Sequence, residues 1–138
     1  MNENPIITYR RNGGSPQVWE RLEIYGDGSL VYRSRRSEPL RSQIPTDRVM
    51  KLLDVFRRND FFSMPGFYSR EYVQGDWTGK YEGNPMEHKL VCNYQDERNT
   101  VTVTTDEPPE IGPPKILRPE RFWNITKEIE GIKKEFLG

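Results

Sequence analysis

His88 is the only histidine and Cys92 the only cysteine in this 138-residue chain. A Ser-His-acid triad, or any zinc site that includes histidine, would have to use His88. The two residues fall in phase on one predicted strand, four positions apart. That is about 13 Å along an extended chain, too far for a direct Cys-His dyad, so thiol catalysis by this pair is excluded. A lone cysteine also excludes an intramolecular disulfide and a cysteine-based metal cluster within one chain. With no accompanying catalytic motif, His88 reads as a strand-end or partly buried histidine.

Acids are the next candidates, because paired carboxyls do general acid–base work. Asp106, Glu107 and Glu110 surround Pro108-Pro109, and Asp76 lies in a glycine-punctuated segment. Acids in a proline-rich surface segment are ordinarily just solvated. Their spacing matches neither a calcium loop nor a two-metal carboxylate site. Gly13-Gly14 and Gly26-Asp27-Gly28 are too short for a phosphate loop and precede no helix, so both read as turns.

Two groups of residues suggest binding instead. Arg33, Arg35, Arg36 and Arg41, with Arg10 and Arg11 alongside, could form a basic stripe, and Trp19 and Tyr25 could stack with a single nucleic-acid strand. Against this, Lys plus Arg is 21 and Asp plus Glu is 21. The basic excess that displaces counterions from phosphates is missing, which argues against nucleic acid as a partner and makes ordinary outer-face charge the simpler reading. The second group is aromatic. Phe67, Tyr68, Tyr72, Trp77 and Tyr81 are interleaved with Gly66, Gly75, Gly79, Gly83 and Pro85. That composition is typical of binding surfaces, although a satellite core folded over a sheet edge has the same ingredients.

The elements that must position these residues follow from periodicity. Only 33% of residues are hydrophobic and 30% are charged, so the apolar side chains must be concentrated on a few faces of one domain, residues 1–138. Residues 6–11 read as a strand, ended by Asn12 to Pro16. Residues 18–25 and 29–35 form a hairpin around Gly26-Asp27-Gly28. A two-residue loop would set Ile24 opposite Val31. A three-residue loop with Gly28 left-handed sets Ile24 opposite Leu30 and Leu22 opposite Tyr32, keeping four apolar side chains on one face. The second register is preferred, at the cost of Arg21 opposite Arg33. Residues 36–45 look polar and turn-like.

Thr46 should cap a helix over 47–59, with Val49, Leu52, Leu53 and Phe56 as its buried stripe. Asp60-Phe61-Phe62 should lock the helix end against the sheet. Residues 66–86 are the least regular part and long enough to conceal a short strand. Residues 87–94 and 99–105 form a second hairpin turning at Gln95 to Arg98. Asp106 to Pro119 is an irregular crossing segment. A last helix over 119–136 buries Phe122, Ile125, Ile129, Ile132 and Phe136.

The fold expected is α+β: an antiparallel sheet of about five strands with two helices packed on one face, in the order β-β-β-α-β-β-α. Its core should hold Leu22, Ile24, Leu30, Leu52, Leu53, Phe56, Phe61, Phe62, Leu90, Val101, Val103, Ile125, Ile129 and Ile132. The other face, carrying Arg21, Arg33, Thr100, Thr102 and Thr104, is polar, which points to the loops and strand edges for specific binding. The first residues, Met-Asn-Glu-Asn-Pro, lack a signal-peptide pattern, and no apolar run approaches the ~20 residues of a membrane span. A cytoplasmic location is the default expectation.

Ile7-Thr8-Tyr9-Arg10-Arg11-Asn12-Gly13-Gly14, the helix end Asp60-Phe61-Phe62-Ser63-Met64-Pro65, Thr100-Val101-Thr102-Val103 with Asp106 and Pro109, and the last helix are short motifs that occur in this order. Together they resemble the emfourin-like proteins, small bacterial inhibitors of thermolysin-like metallopeptidases. The chain departs from them in its Gly26-Asp27-Gly28 arm, its aromatic segment and its proline-rich stretch. The resemblance implies a similar strand-helix-strand plan and a protein partner such as a metallopeptidase. The expectation is therefore a non-catalytic protein-binding module, with peptidase inhibition as one form of it, and with no cofactor and no metal. The expected contact residues are Gly13, Gly14, Tyr68, Tyr72, Trp77 and Tyr81. The alternatives are a single-stranded nucleic-acid or anion-binding domain using the Arg-rich hairpin, and a small acid-dependent enzyme.

Overall fold

The computed structural model describes residues 4–13, 18–35, 37–68, 86–105 and 120–137. Its elements run β1 (Ile7–Gly13), β2 (Val18–Ile24), β3 (Ser29–Ser34), β4 (Ser37–Gln43), α1 (Thr46–Arg58), a 3-10 turn (Phe61–Ser63), β5 (Phe67–Tyr68), β6 (Met86–Tyr94), β7 (Glu97–Thr105) and α2 (Glu120–Leu137). All strands join one sheet in the order β4-β3-β2-β1-β6-β7-β5. Six are antiparallel, and the two-residue β5 pairs parallel with β7.

The α+β class and the two helices on one face are as the sequence leads one to expect, but the sheet is wider. Residues 37–43 form an edge strand where a polar turn was expected. Two features hide it. Leu40 is the one large apolar side chain in β4 and is 44% exposed. Pro39 cannot donate to a ladder, which confines it to an edge or a bulge. Both conditions hold: Tyr32 pairs with Leu40 and Ser34 with Ser37, so β4 carries one extra residue beside Arg33. The strand is anchored at its far end, where the Gln43 side chain donates to the Asp27 carbonyl at 2.6 Å and the Ile44 amide to the Gly28 carbonyl at 2.9 Å.

The first hairpin adopts the three-residue loop. Gly28 has φ +91°, Ile24 pairs with Leu30 and Leu22 with Tyr32. The repulsion expected between Arg21 and Arg33 is offset by a carboxylate on the same face. Glu23, only 6% exposed, lies 3.3 Å from Arg33 Nε and 3.6 Å from Arg21 Nε. The second hairpin is tighter than expected: Glu97 and Arg98 belong to β7, leaving Gln95-Asp96 as the turn. Gln95 takes φ +55°, a conformation usually signalled by Gly or Asn.

α1 starts one residue early, and Thr46 is its first helical residue rather than its cap. Pro45 holds the cap position in extended conformation and offers no side-chain acceptor. The apolar stripes of both helices, with the inward residues of β1, β2, β3, β6 and β7, make one core that also includes Ile7, Tyr9, Ile44 and Cys92. Phe62, expected inside, is half-buried at the rim and packs edge-on against Phe61. The 3-10 turn is tied to β7 by Asn99, whose side-chain amide donates to the carbonyls of Phe61 (2.9 Å) and Met64 (3.0 Å). No helix among the described residues is long and apolar enough to cross a membrane.

Candidate functional site

Strand register determines what the uncovered face presents. Alternation puts Arg33, Arg21, Arg10 and Lys89 in one row across β3, β2, β1 and β6, ending at Thr102 on β7. The row on one side runs Arg41, Val31, Glu23, Thr8, Val91 and Thr100. The row on the other runs Trp19, Asn12, Glu87 and Thr104. Val31 is buried yet stands outside the core cluster, as its place on this face requires.

Of the basic stripe expected from sequence, Arg33, Arg41 and Arg10 come together. Arg11 points to the helix side of the sheet, opposite Glu20 and His88. Arg35 is exposed in the turn after β3, and Arg36 lies outside the described residues. Arg21 and Lys89, absent from the expected stripe, complete the row. Arg10 pairs with Glu87 at 3.3 Å, and the Arg21 guanidinium lies 5.8 Å from the Trp19 ring centroid. Lys89 and Arg41 make no ion pair among the described residues.

A polar cluster lies under α2 at one end of the helix-facing side. The Tyr9 hydroxyl meets His88 Nδ1 at 3.0 Å, and the His88 ring packs edge-on to Trp123, centroids 4.9 Å apart. Arg11 pairs with Glu20 at 3.3 Å, and Lys133 lies 3.8 Å from Glu20 and over the Tyr32 ring. Burial, with Arg11 adding to it, lowers the His88 pKa from 6.5 to about 4. Burial raises the Tyr9 pKa well above its ordinary value. Both shifts favour a neutral tyrosine and a neutral imidazole, joined by this one hydrogen bond. Cys92 is fully buried, and burial pushes its thiol up to about 12, far from a reactive thiolate.

The neutral imidazole has a measurable consequence. An unfolded chain takes up a proton on His88 near pH 6.5, whereas the folded one resists until about pH 4. Stability is therefore complete above that window and falls by about 2 kcal/mol as pH drops through it, allowing for partial solvent screening. Urea denaturation at pH 7 and 4.5 should show a smaller loss for His88→Gln than for the parent. The only imidazole resonance should titrate near pH 4; a midpoint near 6.5 would refute the burial account.

The two expected contact residues that are described, Gly13 and Tyr68, lie outside the basic row. Gly13 ends β1 with φ +124° and pairs with both Val18 and Met86, and Met86 pairs with Thr105. Tyr68 ends β5, paired beside Val103 and running parallel to β7 toward the same end of the sheet. Gly14, Tyr72, Trp77 and Tyr81 lie outside the described residues, as do Asp76, Asp106, Glu107 and Glu110. No group of three or more His, Cys, Asp or Glu placed to hold a metal occurs among the described residues. No known protein family and no curated protein matches this chain in sequence.

Proposed function

We propose that this chain is a non-catalytic protein-binding module, with peptidase inhibition as one form of that role. The observation that supports it is the row Gly13, Val18, Met86 and Thr105 at one end of the sheet. Segments 14–17, 69–85 and 106–119 all begin or end beside that row, and α2 starts nearby, its Trp123 against His88. The six contact residues expected from sequence lie within the first two segments or flank them. The described residues that flank these segments meet at one end of the sheet, an arrangement that suits recognition of another protein.

The single histidine and the single cysteine are both committed to packing, which fits a binding role better than a catalytic one. The inhibitory form draws on the resemblance of the Ile7–Gly14 and Asp60–Pro65 motifs. A cytoplasmic setting goes with this reading, because a buried free thiol suits a reducing compartment.

The full chain at micromolar concentration is expected to reduce the activity of thermolysin-like peptidases. Failure against several of them removes the inhibitory form. Replacing Trp77 and Tyr81 together by Ser should weaken the effect by about tenfold or more if these aromatics anchor the contact. An unchanged inhibition constant would move the contact elsewhere.

A further inference from the structure

We infer that the open face of the sheet, along the row Arg33–Arg21–Arg10–Lys89, is a docking site for an acidic, extended segment of a partner protein. This rests on the reading of the chain as a protein-binding module and assigns it a second contact surface. The row spans four adjacent strands. At about 4.8 Å per strand it is about 14 Å long, which is four to five extended residues lying across the strands.

Charge complementarity selects the ligand. The three rows described above carry five bases, Arg10, Arg21, Arg33, Arg41 and Lys89, against two acids, Glu23 and Glu87. Glu23 is shared by two guanidinium groups, so one positive charge there remains uncompensated. Lys89 and Arg41 add two more. This excess sits on a chain with no net charge, so it is local to the face and not a property of the whole surface.

Carboxylate is favoured over phosphate for two reasons. The array already holds two of the chain's own carboxylates, at 3.3 Å and 3.6 Å from its guanidinium nitrogens, so its geometry is suited to carboxylate. An excess of three charges would also release about three counterions from a nucleic-acid strand, giving a salt slope of only about −2. A protein partner can add contacts elsewhere on its surface.

The probe is a labelled twelve-residue peptide of alternating Glu and Ser, titrated with the full chain in about 20 mM salt, where surface charges are weakly screened. Binding that falls with added salt is expected. Lys89→Gln with Arg41→Gln should weaken it by about tenfold, and the fold should survive because neither side chain is in an ion pair among the described residues. Lys127→Gln with Lys134→Gln removes the same charge from the exposed side of α2 and should change binding less than twofold. Three results would each overturn the proposal: no binding, equal loss in both double variants, or tighter binding of a twelve-nucleotide thymidine strand than of the peptide. Peptidase inhibition that persists beside any of these leaves the binding-module reading intact and removes only this site.

Discussion

Phe56→Ala should lower the unfolding free energy by about 4 kcal/mol, the largest single effect expected from any side chain here. Phe56 is completely buried on the inner stripe of α1. Its ring meets Phe61 edge-on at 4.9 Å, so it joins the helix to the 3-10 turn that Asn99 ties to β7. Truncation removes a benzyl group from a site enclosed by helix, turn and sheet, where little can collapse into the space. The loss is a large fraction of the 5–15 kcal/mol that stabilises an ordinary domain. Urea denaturation monitored by tryptophan fluorescence would measure it. Phe62→Ala is the comparison: its ring is half-buried, and it should cost about half as much. A Phe56→Ala loss below about 1 kcal/mol would mean that the helix does not pack as described.

Gly28→Ala should cost about 3 kcal/mol, for reasons that owe nothing to hydrophobic burial. The residue has φ +91°, where a Cβ is strained by about 1–2 kcal/mol. A methyl group there would also be driven against the carbonyl oxygen of Ile44 and come within 2.8 Å of Gln43 Nε2. Neither can withdraw cheaply. The Ile44 amide donates to the Gly28 carbonyl, and the Gln43 amide to the Asp27 carbonyl. Those bonds hold the end of β4 on the hairpin, so relieving the clash means loosening the edge strand, at a further 1–3 kcal/mol or so. Gly26→Ala, two residues away in the same turn, meets nothing within 4 Å and should stay within about 0.5 kcal/mol of the parent. Equal losses at the two glycines would refute the close approach of β4.

These two positions also show where sequence reasoning is strong. Phe56 is legible because Val49, Leu52, Leu53 and Phe56 repeat at helical spacing. Gly28 is legible because only one hairpin register keeps Leu22, Ile24, Leu30 and Tyr32 together. β4 is illegible because its pairing is imposed by β3 and by the Gly28 anchor, while Pro39 and the exposed Leu40 argue locally for a loop. Gln95 hides a two-residue turn in the same way: the tight pairing of β6 and β7 imposes a positive φ that its residue type does not announce.

The candidate sites divide along the same line. Arg33, Arg10 and Arg41 are visible as basic residues on predicted strands or next to them. Arg21 reaches Arg33 through the first hairpin and Arg10 through the pairing of β1 with β2, whereas Lys89 joins them only through the pairing of β1 with β6, which no local pattern specifies. The same pairing sends Arg11 to the opposite side and brings Tyr9 to His88 from 79 residues away. Glu23 looks like an ordinary alternating polar residue until two arginines are found on either side of it.

That pairing of β1 with β6 also has a kinetic meaning. On one side of it, β1 to β4 are joined in chain order, each strand to the next. On the other side, β6 and β7 are joined by a two-residue turn. Both halves close short loops, whereas Gly13 and Met86 must meet across 73 positions of chain. Loop closure at that separation costs about 3 kcal/mol more than closing the three-residue turn at Gly28. The two halves can therefore assemble early and locally, while the seam between them is deferred. Until it zips, the two strands destined for the middle of the sheet are both free edges, and the folding chain is most open to pairing with the wrong strand.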